Sequence, residues 1–135
     1  MVSPVESTES VYRSVPRGRG WLKPDANGDC QPTSAAFLDR AFQVSVDRAC
    51  LVSGPDKTQM NSDDGVLILR VSDITALEPA AGKHVTVDPN PVDGNPAHAL
   101  ICLDPHPENS TQFKKLRESL KRVATWVIRP GGECD

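Results

Sequence analysis

Residues 97–103, AHALICL, form an uncharged run of seven between Pro96 and the Asp104-Pro105 pair, and no other stretch limits the fold as tightly. A run this short between prolines suits a strand and not a helix. Proline does least harm at a strand's first edge, while a proline after Asp104 cannot donate to a ladder and turns the residue before it away from helical geometry. The run therefore reads as an inner strand buried on both faces. Alternation sends His98, Leu100 and Cys102 to one face and Ala99, Ile101 and Leu103 to the other, so the histidine marks the more polar face.

The second constraint lies near the C-terminus. Over 109–127, Phe113, Leu116, Leu120, Val123, Ala124 and Val127 recur every three or four residues, the spacing of one apolar helix face, with the basic residues elsewhere. Asn109 or Ser110 is placed to cap this helix, Gln112 to close a capping box, and Arg129-Pro130-Gly131-Gly132 to stop it. Trp126 is expected to pack the helix end on the sheet. Residues 10–15 alternate Val11, Arg13 and Val15 against Tyr12 and Ser14, the period of a first strand.

Residues 65–71 form a second strongly apolar strand candidate. Residues 43–52, broken by Asp47 and Arg48, and 84–87, with His84 facing solvent, supply shorter strands. Residues 32–41 read as a short helix capped by Thr33 or Ser34. Residues 53–64 read as a polar loop able to act as a flap, 75–82 as a place for a turn of helix, and 1–10 as a loose arm. The expected fold class is α+β: a mixed or antiparallel sheet of about five short strands, with the C-terminal amphipathic helix packed on one face, in one domain over 11–135.

Composition narrows the function classes. Aromatic residues make only 4% of the chain, so the core is built of Val, Leu, Ile and Ala, and twelve prolines with nine glycines imply long loops. A net charge of -3 argues against a general binder of nucleic acid or anionic membrane, which would carry surplus Lys and Arg. Arg17, Arg19 and Lys23 flank Trp21, the one patch suited to base stacking, but Trp21 reads better as a lid on the core edge. No apolar run approaches the roughly 20 residues that cross a bilayer, so no membrane segment is expected. Cys30, Cys50, Cys102 and Cys134 are irregularly spaced with no CxxC and no apolar leader, which points to a reducing cytoplasm with Cys50 and Cys102 as small core residues.

Charge is unevenly distributed. Residues 72–111 hold six acids against Lys83, a net of -5, and residues 112–129 hold six bases against Glu118, a net of +5. Either the two regions neutralise each other across the fold, or the basic helix face, with Lys114, Lys115, Lys121 and Arg122, is a docking surface for a partner protein.

The candidate chemistries are few. His98, Cys102, Asp104 and His106 resemble a ligand cluster, yet His98 and Cys102 on one strand lie about 13 Å apart, too far for one zinc ion or for a nucleophile and its base. No metal and no cofactor is called for. Residues 25–29, DANGD, lack the acids of a calcium loop and read as a turn. Ser34, Asp47 and His98 are the types of a nucleophilic triad, though Ser34 has no elbow sequence and a cap role explains it. Arg13 among valines is either a snorkelling strand residue or an anion clamp.

Tyr12-Arg13, PTSAAF, SVDRA, then DP followed by NPAHA, and a final tryptophan together resemble a group of small bacterial proteins with that succession of motifs, a resemblance covering residues 12–130 and carrying no activity. A fainter likeness is to ADP-ribosyltransferase-like folds: Arg13 and Ser34 are similar in order to the Arg and Ser that hold a dinucleotide there, with Glu78 the mid-chain glutamate. A site would then gather Arg13, Ser34, Asp47 and His98. Two functions follow as expectations: a cytoplasmic protein-binding or regulatory module using the basic helix face, or a small enzyme on a nucleotide-like or phosphorylated substrate, with Arg13 as anion clamp and His98 as acid and base.

Overall fold

The computed structural model describes residues 2–132 and Cys134. In chain order the elements are β1 (Ser10–Val15), β2 (Leu22–Pro24), β3 (Cys30–Pro32), β4 (Val44–Arg48), β5 (Gly65–Arg70), α1 (Val71–Thr75), β6 (His84–Pro89), β7 (His98–Asp104), α2 (Ser110–Val123) and β8 (Thr125–Ile128). Six strands form one antiparallel sheet in the order β6-β7-β4-β1-β5-β8, and β2 and β3 form a separate hairpin. The α+β class therefore holds, with the sheet wholly antiparallel.

Period-two patterning explains the layers. Val11, Val15, Val44, Val46, Leu67, Leu69, Ala99 and Ile101 form one buried sheet face, covered by Phe37 and by Phe113, Leu116 and Leu120 of α2. The opposite face carries Tyr12, Ser14, Ser45, Asp47, His98 and Cys102, all of them half-buried. Strand β7 is thus an inner strand with one buried face and not two, and it lies second from the β6 edge while β4 and β1 occupy the centre.

Helix α2 begins as its sequence demands: Asn109 Oδ1 accepts the Gln112 N–H at 3.0 Å. Gln112 Oε1 accepts from the Glu108 N–H, one residue earlier than a standard capping box. It ends earlier than expected. Ala124 turns extended, and Trp126 and Val127 lie on β8, paired with β5. Thr125, Val127 and Ile128 are β-branched, and the free edge of β5 gives their backbone a ladder that outweighs continued helical periodicity.

Other local expectations change for tertiary reasons. Residues 32–41 form no regular helix but two 3₁₀ turns, Ser34–Phe37 and Arg40–Phe42, and Thr33 makes no side-chain cap; its hydroxyl donates to the Trp21 carbonyl. Arg13 takes the carbonyls of Ala36 and Leu38, which draws this segment onto the sheet. Asp47 and Arg48 do not break β4. Arg48, 3% exposed, pairs with Glu9 and donates to the Ser3 and Pro4 carbonyls, so the N-terminal segment is tied down and not loose. Residues 53–64 are pinned to the sheet by Thr58 Oγ1 donating to Asp47 Oδ2 at 2.7 Å.

The cysteines depart from the uniformly reduced set expected. Cys30 and Cys134 form a disulfide, Cys50 is exposed and Cys102 is half-buried, so neither free thiol belongs to the core. Widely spaced cysteines give no local sign of pairing, and only the return of β8 beside the β2–β3 hairpin brings these two together. No helix among the described residues is long and apolar enough to cross a membrane.

Candidate functional site

The open sheet face holds the first candidate. Strand register aligns Tyr12 with Asp47 and Asp47 with His98, three residues far apart in sequence brought into one row. With neighbouring strands about 4.8 Å apart, Tyr12 and His98 flank Asp47 across roughly 10 Å. A cavity of about 270 Å³ lies over this row, walled by Arg13, Arg19, Trp21, Thr58 and Met60. Three of the four residues proposed for a site, Arg13, Asp47 and His98, thus meet at one cavity.

Their side chains are already engaged. Arg13 donates from Nε to the Ala36 carbonyl, from Nη1 to Asp39 and to the Ser45 carbonyl, and from Nη2 to the Leu38 carbonyl, all at 2.8–3.0 Å. Four of its five N–H donors are occupied and its charge is matched by Asp39, so it braces the fold in the place where an anion clamp was expected. Burial pushes the Arg13 guanidinium down, while Asp39 opposes that shift. For Asp39, burial raises the carboxyl, but the Ser45 and Arg40 N–H groups and Arg13 outweigh it and leave it lowered.

Asp47 accepts from Thr58 and, at 2.8 Å, from Asn95 Nδ2, both neutral donors. His98 Nδ1 lies 2.7 Å from the Asn90 carbonyl oxygen, which can only accept. The neutral ring therefore carries its proton on Nδ1 and presents Nε2 as a base. Asn90, not Asp47, orients the imidazole, so the aspartate–histidine relay of a triad is not made. Ser14, beside them on β1, has a buried hydroxyl without a hydrogen-bond partner. Its place on the polar side of the first strand was the only advance signal for it.

Ser34 is elsewhere. Its carbonyl and hydroxyl accept from Arg117 Nη1 at 3.2 and 3.4 Å, and it lines a cavity beside α2. Arg13 and Ser34 line different cavities, and Glu78, exposed in the segment after α1, lines neither of them, so the three residues carrying the ADP-ribosyltransferase likeness meet at neither cavity. Cys102 offers no nucleophile: burial, with Asp88 adding to it, pushes its thiol up to about 11.

The second candidate is the outward side of α2. Lys114, Lys115, Lys121 and Arg122 are all exposed. The two ion pairs among the described residues, Arg13–Asp39 and Arg48–Glu9, involve none of them. The acids of residues 72–111 therefore do not pair with this helix. Spacings of seven place Lys114 below Lys121 and Lys115 below Arg122, two columns about 10 Å long with Glu118 between. Two further cavities, of about 400 and 450 Å³, adjoin the C-terminal half of the helix. All three cavities lie near the lower end of the size of ligand sites, roughly 300–1,000 Å³.

No family model, curated protein or solved structure matches the chain.

Proposed function

We propose that this protein is a non-catalytic binding module that docks an acidic partner protein through the outward face of α2. The observation that carries this reading is the set of four exposed cations, Lys114, Lys115, Lys121 and Arg122, with no carboxylate among the described residues within ion-pair distance. Unpaired charge of one sign on a rigid helix is suited to steering and fixing a partner of the opposite sign. The Cys30–Cys134 bond favours an oxidising setting over the reducing cytoplasm, where such a bond would not persist.

Charge reversal tests the reading. A variant carrying Lys114→Glu, Lys115→Glu, Lys121→Glu and Arg122→Glu should keep the wild-type unfolding midpoint within experimental error and lose the partner recovered from the native host. Unchanged recovery would remove α2 as the contact face.

A second reading, a small enzyme working at the open sheet face, is supported by one observation: His98 Nε2 is left as a base in a cavity shared with Asp47. Arg19, stacked 5.4 Å from the Trp21 ring, would replace Arg13 as its anion-holding cation. Titration with inorganic phosphate, watching the His98 and Trp21 resonances, tests it; unmoved signals at millimolar phosphate would end it.

A further inference from the structure

The two cavities beside α2 are one feature. They share Thr33 and Lys121, so they abut and form a groove between the C-terminal half of α2 and the β2–β3 hairpin. The hairpin is a firm wall: Cys30 is bonded to Cys134, and its carbonyl accepts from Trp126 Nε1 at 3.2 Å. Lys23 and Asp25 line one end, and Glu118 and Arg122 the other.

The acids there are unequal. Asp25 is engaged by its own turn, Oδ1 accepting from the Asn27 and Asp29 N–H groups and Oδ2 from Gln31 Nε2. Lys23, Lys121 and Arg122 have no such partners among the described residues. Ser34 adds an O–H: its oxygen accepts from Arg117, which leaves the proton free to donate. At this end the cations Lys121 and Arg122 outnumber the one lining carboxylate, Glu118.

We infer that the groove holds an extended acidic peptide segment, whose carboxylates or phosphates are met in turn by Lys23, Lys121 and Arg122, with the Ser34 hydroxyl as a further donor. The inference rests on the docking reading above and narrows it to one half of the helix and one class of partner. A single small anion would satisfy one cation and leave the others unmatched, whereas a chain advancing about 3.3 Å per residue sets charges at that spacing. Single-stranded nucleic acid fits less well, because aromatic platforms for its bases are missing from the residues lining the groove.

The test is an amide NMR titration of the full chain with an acetylated octapeptide of alternating glutamate and serine, its glutamine counterpart, and an eight-residue oligothymidylate. Binding of the glutamate peptide should shift the amides of Lys23, Gln31, Thr33, Ser34 and Lys121, with no shifts from the glutamine peptide. Lys121→Glu should weaken that binding about tenfold, and Lys114→Glu by less than about threefold. Both substitutions are at exposed positions, and amide dispersion checks their fold. Shifts confined to the first turn around Lys114 and Lys115 would overturn the groove and leave the docking face standing; no shift on α2 or the hairpin would overturn both. A larger response to the oligothymidylate at the same amides would overturn the peptide class.

Discussion

Arg13 and Ser45 converge on a single atom, Asp39 Oδ2, which accepts from Arg13 Nη1 and from the Ser45 N–H, each at 2.9 Å. The central strand, the next strand and the segment between them are thereby joined through one carboxylate oxygen. An arginine on the apolar side of β1 is tolerable because its head ends among these acceptors.

Removing that head should be expensive. Arg13→Met leaves Asp39 without its counter-charge and the Ala36, Leu38 and Ser45 carbonyls without a donor, and should destabilise the fold by about 3 kcal/mol in urea unfolding. Asp39→Asn, which keeps one acceptor and is nearer to solvent, should lose roughly half as much. A loss below about 1 kcal/mol for Arg13→Met would show that the 3₁₀ segment holds itself.

The Arg48–Glu9 pair predicts a pH window. Hydrogen bonds from Arg48, then from the Glu6 N–H and the Cys50 thiol, outweigh burial and hold the Glu9 carboxyl at about 2, against its ordinary 4.5. A lowered folded-state value gives stability that is complete above pH 4.5 and disappears as pH falls through 2. Wild type and Glu9→Gln should therefore differ in urea midpoint at pH 7, approach each other below pH 4.5 and coincide near pH 2. A gap surviving at pH 2 would mean that the N-terminal segment is held by shape and not by charge.

Gly65 opens β5 directly beneath an aromatic ring. A Cβ there would lie 2.5 Å from Trp126 Cζ3 and 3.1 Å from Pro130 Cδ. Gly65→Ala should cost about 1–3 kcal/mol by overpacking. Combined with Trp126→Leu, which makes room, its added cost should drop below about 0.5 kcal/mol, a non-additivity expected only of residues in contact. Fully additive losses in the double mutant would refute the contact.

Cys30 and Cys134 close a ring across a sequence separation of 104 residues. Unfolded without reductant, the protein should show two reactive thiols, Cys50 and Cys102, and four after reduction. Cys30→Ser should lower stability by about 2–4 kcal/mol, since the cross-link restrains the unfolded chain over a long loop. Four reactive thiols without reductant would show that the bond does not form in solution.

What the amino-acid order determined is what local periodicity and local chemistry carry. The alternation in residues 10–15, the uncharged run 97–103 and the three-and-four spacing beginning at Phe113 became β1, β7 and α2, because burying one face of each element requires those periods whatever its neighbours are. Asn109 could be read as a cap for the same reason, its partner being three residues away. Tertiary structure alone decided the rest. The row of Tyr12, Asp47 and His98, the assignment of Arg13 to Asp39, the placing of Ser34 beside Arg117, the conversion of Trp126 from helix end to edge strand and the Cys30–Cys134 bond all join residues between 26 and 104 positions apart. Such pairs depend on which strand edges meet, and strand order is set by the whole core at once, so no single segment contains it.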